Sequence, residues 1–284
     1  MLLASIINGI DSTQNDLADR GFQFGDGLFE TLLIEQGVPR FLERHLSRLK
    51  TGCQRIHISQ VHFPAIKKDI LRLSSEHPDA ILKVIVTRGC TERGYLHPDN
   101  IQPTIVMRVF DRVEPEIDYA KQGISVQLCH TRLSLQPLLA GIKHLNRLEQ
   151  VLARREWDAG CAQEGLLLDT RDNVIEATMS NLFYVKDDCL VTPRLAASGV
   201  AGIMRSVIID IATFLKINSQ IEPITMDEIK AADEVFLSNS LIGIWPVTYI
   251  HEVAEFERGA ITDLLQNTLR DWSKTDKSDR WYSQ

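Results

Sequence analysis

Three short stretches carry residue types that could do chemistry together. Lys143 lies in Leu138-Leu-Ala-Gly-Ile-Lys-His-Leu-Asn-Arg-Leu-Glu-Gln150, after a small-residue turn at Ala140-Gly141. Leu145, Leu148, Val151 and Leu152 recur at helical spacing, which predicts a helix from near Leu145. The turn holds the lysine backbone and leaves room around its amine. Asp172-Asn-Val-Ile-Glu-Ala-Thr-Met-Ser-Asn-Leu-Phe183 sets Glu176 among apolar strand residues, where an unpaired carboxylate is costly, so a cationic partner is expected. Ser198-Gly-Val-Ala-Gly-Ile-Met-Arg205 is a glycine turn opening a helix. An amine can condense with an aldehyde, a carboxylate can hold a protonated ring nitrogen, and backbone N–H groups at a helix start can take a phosphate. Those are the three demands of pyridoxal 5'-phosphate (PLP).

The elements that must position these groups can be followed along the chain. Leu2 to Ile7 reads as a strand, and Asn8-Gly9 is a hairpin-turn signal. Asp19 to Gly27 has three glycines suited to a loop that approaches a ligand closely, and Leu28 to Ile34 follows as a strand. Gly37-Val38-Pro39 turns the chain into Phe41 to Ile56, an amphipathic helix on which Arg44, Arg48 and Arg55 are expected at the surface. A second helix is expected over Phe63 to Ser74, a strand over Ile81 to Thr87, and another over Pro103 to Phe110. Arg88 and Arg93, in Arg88-Gly-Cys-Thr-Glu-Arg-Gly-Tyr95, are candidates for gripping substrate carboxylates. Asp111 to Gln122 is polar and contains Glu114-Pro115-Glu116, a linker signal.

Beyond it, strands are expected over Gly123 to Cys129, Glu164 to Asp169, Val174 to Glu176, Leu182 to Val185, Cys189 to Thr192 and Ala232 to Leu237. Helices are expected over Gly202 to Leu215 and Ile261 to Trp272, and Thr225-Met-Asp-Glu228 is a capping box opening a short one. Ser238-Asn-Ser240 offers small hydrogen-bonding groups suited to a phosphate or a substrate carboxylate.

Composition limits the function classes. With 284 residues, 44% hydrophobic and 24% charged, the chain is long enough for two modest domains with their own cores. A formal charge of -7 argues against nucleic acid as a partner, while leaving a small anionic substrate open. Met1-Leu-Leu-Ala-Ser-Ile-Ile lacks a basic leader region, and Asn8 and Asp11 cut its apolar run, so neither secretion nor a membrane span is expected and a cytoplasmic location is. Cys53, Cys90, Cys129, Cys161 and Cys189 are scattered and odd in number, which indicates neither a disulfide framework nor a zinc site.

Together with Gly21-Phe-Gln-Phe-Gly-Asp-Gly-Leu-Phe-Glu-Thr31, these motifs resemble the fold-type IV PLP enzymes, the class of branched-chain and D-amino-acid aminotransferases. Within the class, Ala140-Gly-Ile-Lys-His-Leu-Asn-Arg-Leu-Glu-Gln-Val151 and Arg93-Gly-Tyr95 resemble the aminodeoxychorismate lyase branch, from which Thr91-Glu92 departs where a small residue is usual. The resemblance implies an α+β chain in two domains. A small N-terminal α/β domain would span residues 1–112, a linker 113–122, and a larger domain on a mainly antiparallel sheet or barrel 123–272, with a disordered charged tail at 273–284.

It also implies a homodimer, and it carries roles to individual positions. Lys143 would bind PLP and act as the catalytic base, and Glu176 would hold the ring nitrogen. Arg48, from His45-Leu-Ser-Arg48-Leu49, would reach the phosphate with Gly202, Ile203, Met204, Asn239 and Ser240. Val200 would pack on the ring, Asn181 would lie near it, and Arg88, Arg93, Tyr95 and Thr31 would face the substrate. The substrate implied is 4-amino-4-deoxychorismate, which links the chain functionally to aminodeoxychorismate synthase. An aminotransferase of the same fold, or a binding protein that keeps the fold without the chemistry, are the alternatives.

Overall fold

The computed structural model describes residues 1–113, 115–158 and 160–272. The expected disordered tail, residues 273–284, lies outside the described residues. The chain forms two compact units: unit 1 takes in the described residues of Met1–Glu114 together with Ile142–Asn146, and unit 2 those of Pro115–Gly141 and Arg147–Gln284. Lys143, assigned from sequence to the larger domain, thus packs with the N-terminal unit.

Unit 1 opens on the hairpin of β1 (Leu2–Ile7) and β2 (Ile10–Asp11), whose turn holds Asn8 at φ 49° and Gly9 at φ 80°. These positive values are the ones an Asn-Gly pair tolerates. Helix α1 (Arg20–Phe24), β3 (Gly27–Glu35), β4 (Val38–Pro39), α2 (Leu42–Arg55), α3 (Phe63–Glu76), β5 (Ala80–Thr87) and β6 (Thr104–Asp111) follow. The strands make one antiparallel sheet in the order β2-β1-β6-β5-β3-β4. Ala80, Leu82, Val84 and Val86 of β5 are buried while Ile81, Lys83 and Ile85 between them are half-buried, the period of two expected when one face carries the core. Helix α2 lies so near β3 that a methyl group on Gly52 would come within 2.8 Å of the Leu28 side chain.

Unit 2 runs through α4 (Tyr119–Gln122), β7 (Ile124–Leu133), α5 (Leu148–Ala153), β8 (Glu164–Asp169), β9 (Val174–Ala177), β10 (Asn181–Lys186), β11 (Cys189–Pro193) and α6 (Ile203–Leu215). It ends with β12 (Ser219–Glu222), α7 (Met226–Lys230), β13 (Glu234–Asn239), β14 (Gly243–Ile250), β15 (Ala254–Glu255) and α8 (Ala260–Trp272). Strands β7, β8, β9, β10, β13 and β14 close on themselves, because β9 pairs with β10 and β14 returns to β7. The β14–β7 and β7–β8 pairings are parallel and the other four antiparallel. The closing contact sets Asn181 directly opposite Glu176. Phe183 and Phe236, paired across β10 and β13, stack with ring centroids 5.0 Å apart.

Three local expectations are corrected, and one strand was not foreseen. The glycine-rich stretch before β3 is not all loop: the Asp19 carboxylate accepts the Gly21 N–H and starts α1, which Gly25 ends at φ 65°. The helix after Lys143 begins at Leu148, because the Leu145 N–H is bound to the Gly27 carbonyl. Arg44 is buried, since the inward stripe of α2 is wide enough to include it along with Leu42, His45 and Leu49. Finally, β14, with Pro246 in its middle, is a full strand that the proline hides from a pattern reading.

Candidate active site

Within unit 1 the Lys143 segment is bound to the start of β3 through an isolated β-bridge. Leu28 bridges His144, the Phe29 N–H donates to the Lys143 carbonyl at 2.9 Å, and the Leu145 N–H donates to the Gly27 carbonyl at 3.0 Å. Asn146 Nδ2 adds a bond to the Gly25 carbonyl at 3.2 Å. With its backbone fixed this way, Lys143 lies half-buried with Nζ 4.5 Å from the centre of the Phe29 ring. Lys83 Nζ lies 5.1 Å from the same ring. The glycines flanking Asp26 therefore serve the lysine segment, because a side chain on Gly25 or Gly27 would meet Asn146 or Leu145 within 2.8 Å.

Arg48 is held by a residue the sequence reading passed over. Glu30 of β3, 2% exposed, accepts Arg48 Nε–H at 2.7 Å and Arg48 Nη2–H at 2.5 Å, and His45 Nδ1 lies 2.6 Å from its Oε2. Burial alone would push the Glu30 carboxyl up, but the Arg48 and His45 contacts outweigh it and hold it at about 2. Burial, with the nearby charges of Arg48 and Lys143, pulls His45 below its ordinary range even against Glu30, so the imidazole is neutral and donates its Nδ1–H. A signal was available: Glu30 alternates with Leu28 and Leu32, and the cost argument used for Glu176 applies to it equally.

The loop carrying the expected substrate contacts is held from beneath. Arg88 is buried, donating to Asp26 through Nε at 2.7 Å and Nη2 at 2.9 Å, and to the carbonyls of His57 and Ile56, both at 2.7 Å. A substrate carboxylate would have to compete with these partners. Arg20, unmarked by any sequence motif, binds Asp26 at 2.8 Å and the carbonyls of Gly94 and Tyr95 at 2.9 and 3.0 Å. Burial opposes ionisation of Asp26, yet the two arginines keep its carboxyl below the usual range. Arg93 and Tyr95 are exposed, and Thr31 is half-buried on β3 opposite Lys83.

Within unit 2 the expected groups converge on one peptide. Glu176, buried on β9, accepts the Val200 N–H at 2.8 Å, and Asn181 Nδ2 donates to the Val200 carbonyl at 2.8 Å. Gly141 bridges the same turn, donating to Gly199 at 2.8 Å and accepting from Ala201 at 3.0 Å. Gly202 then caps α6 without a side chain, and among the described residues no side chain accepts the helix's first N–H groups. Those N–H groups, on Ile203 and Met204, are suited to an anion by direction and by helix dipole. Arg205 turns away, to Thr192 at 3.1 Å and the Pro193 carbonyl at 3.0 Å.

Asn239 binds inside the protein, donating to the Met179 carbonyl and Ser180 while accepting the N–H groups of Leu241 and Ile242. It sets the turn on which Ser240 lies half-buried. Glu164 is a further unforeseen carboxylate: buried, with its carboxyl pushed up by that burial, it accepts from Thr178 and from Met179 N–H, and so fixes the turn before Asn181.

Taken each by itself, the two units carry groups chemically suited to parts of an aldehyde-bearing pyridine phosphate. Unit 1 offers an amine against an aromatic face and an arginine on a carboxylate; unit 2 offers a buried carboxylate, an apolar residue and an uncapped helix start. Similarity to known proteins agrees. A solved 4-amino-4-deoxychorismate lyase from Pseudomonas aeruginosa superposes with a TM-score of 0.90 at 43% identity, covering 94% of this chain and 98% of that one. An aminodeoxychorismate lyase of Vibrio harveyi is 34% identical over 93% of this chain and 98% of its own. A D-alanine aminotransferase of Listeria innocua is 31% identical, covering 89% of this chain and 88% of its own. Residues 27–250 match the model of the amino-transferase class IV family, and with the strand-bound lysine and the carboxylate opposite Asn181 in place, the chain belongs to that family.

Proposed function

We propose that this chain is a PLP-dependent aminodeoxychorismate lyase, converting 4-amino-4-deoxychorismate to 4-aminobenzoate and pyruvate. The observation that carries the reading is the anchoring of Lys143 on β3, which holds one amine against the Phe29 ring. PLP, when bound, supplies an aldehyde for the substrate amine and a protonated ring that draws electrons from the neighbouring carbon. Lys143 Nζ would hold the cofactor. Its amine would be the general base for the proton on the carbon bearing the substrate nitrogen. It then delivers a proton to the departing enol, which leaves as pyruvate while the remaining ring becomes aromatic.

Glu176 would hold the proton on the ring nitrogen, its carboxylate aimed by its bond to the Val200 N–H. Arg48, the N–H groups of Gly202, Ile203 and Met204, and the Ser240 hydroxyl would bind the phosphate, with Asn239 setting the turn. Val200 would pack on the ring, and Asn181 holds Val200 in place. Arg93, Tyr95 and Thr31 meet the substrate, with Arg88 supporting their loop and offering what remains of its fork. The protein works as a homodimer in the cytoplasm, downstream of aminodeoxychorismate synthase, without membrane or nucleic acid. No helix among the described residues is long and apolar enough to cross a membrane.

The test is to add 4-amino-4-deoxychorismate to the PLP-loaded protein and follow 4-aminobenzoate and pyruvate together. Equal amounts of both are expected. Transfer of an amino group from D-alanine or a branched-chain amino acid, with neither product formed, would instead favour an aminotransferase, as the Listeria relative suggests.

A further inference from the structure

We propose that Glu30 is a positioning residue for Arg48, fixing the plane in which the guanidinium meets the cofactor phosphate. The proposal rests on the phosphate role given to Arg48 above. Arginine ends a long side chain with many rotamers, and it recognises a phosphate well only when its planar edge faces the oxygens. Glu30 removes that freedom by gripping the guanidinium side-on through two bonds, at Nε and at Nη2. Roll and direction of the group are then set together.

Glu30 is itself anchored. It sits on the central part of β3, buried, with His45 on its Oε2. His45 and Arg48 are three residues apart on α2, so both side chains leave one helix face toward the strand. Among the described residues His45 Nε2 is buried without a hydrogen-bond partner, consistent with a neutral ring whose one N–H is committed to Glu30. The three residues thus form a chain of support from helix to strand and back to the arginine.

Electrostatics alone would argue for a different residue. A carboxylate beside Arg48 offsets the positive charge that attracts a phosphate dianion, so a neutral side chain at position 30 would give the stronger long-range pull. Aim and attraction therefore make opposite predictions. If aim dominates, removing the charge of Glu30 weakens phosphate binding; if attraction dominates, it strengthens it.

The experiment compares PLP with pyridoxal, which lacks the phosphate, binding to the PLP-free protein. Wild type is expected to hold PLP more tightly than pyridoxal. Glu30→Gln should weaken PLP about tenfold, the loss of one well-aimed charge-assisted contact, while leaving pyridoxal within about twofold. In an Arg48→Ala background the same change should alter PLP affinity by less than about twofold, since Glu30 acts through the arginine. Unchanged or tighter PLP binding by Glu30→Gln overturns the proposal while leaving the phosphate role of Arg48 standing. Equal affinity of wild type for PLP and pyridoxal overturns that role and this proposal with it. Should Glu30→Gln lose its cooperative melt, Glu30→Asp keeps the charge and draws the fork back by one methylene. Weaker PLP with unaltered pyridoxal is again expected, and unaltered PLP again contradicts.

Discussion

Gly202→Ala is a perturbation whose cost the structure lets one work out. The backbone there, at φ -65° and ψ 143°, is open to any residue, so the added methyl brings no conformational strain of its own. It would stand 1.9 Å from Asn181 Oδ1, and relief to a 3.0 Å contact requires a shift of about 1.1 Å. The amide is buried and bound to Val200, so moving it breaks that bond. A buried polar group left unpaired costs about 1–3 kcal/mol. Overpacking adds about 1–3 kcal/mol, giving about 2–6 kcal/mol in all. Chemical denaturation of Gly202→Ala, Asn181→Ala and the double variant measures it. With the amide gone the methyl has space, and Gly202→Ala should then cost no more than about 1 kcal/mol, the ordinary disadvantage of alanine at a helix N-cap. Additive losses in the double variant would refute the reasoning, because they would mean that the two residues do not meet.

Other outcomes follow from the same contacts. Glu176→Gln should keep bound cofactor but lose most turnover, since an amide can occupy the place of the carboxylate but cannot keep the ring nitrogen protonated; absorbance and product formation on one sample separate the two. Glu30, lowered to about 2 by its partners, adds stability that is complete above the ordinary glutamate range and lost as pH falls through that range toward 2. Urea titrations of wild type and Glu30→Gln should therefore converge as the solution is acidified. Glu234 accepts the N–H groups of Ile261 and Thr262 and caps α8, so Glu234→Ala should cost about 1–2 kcal/mol in the same assay.

Much of this was legible in the residues, where local chemistry decides. The Asn8-Gly9 turn, the alternation in β5 and the Thr225–Glu228 capping box each need only neighbours in sequence. Lys143, Glu176 and Gly202 stand out by local chemistry alone: an amine after a small-residue turn, a carboxylate among apolar strand residues and a glycine turn opening a helix. What escaped notice depended on partners far along the chain. Arg20 looks like any polar loop residue until the loop of Gly94 and Tyr95 comes back to it, and Arg44 reads as solvated until the helix face is known to be wide. Leu145 obeys helical spacing, yet its N–H is committed to Gly27, over a hundred residues earlier, and the helix starts only at Leu148. Arg88 shows the converse: its type suits a carboxylate, and the carboxylate it meets is Asp26 of its own chain.

The account stands on Lys143, and the most direct test is to fix the cofactor where it is bound. Borohydride reduction of the PLP-loaded protein, followed by peptide mapping, should place the modification on Lys143 and on no other lysine. Lys83, whose amine lies 5.1 Å from the same Phe29 ring, is the informative competitor. Modification of Lys83, or a modified Lys143→Ala variant that still forms 4-aminobenzoate, would contradict the account.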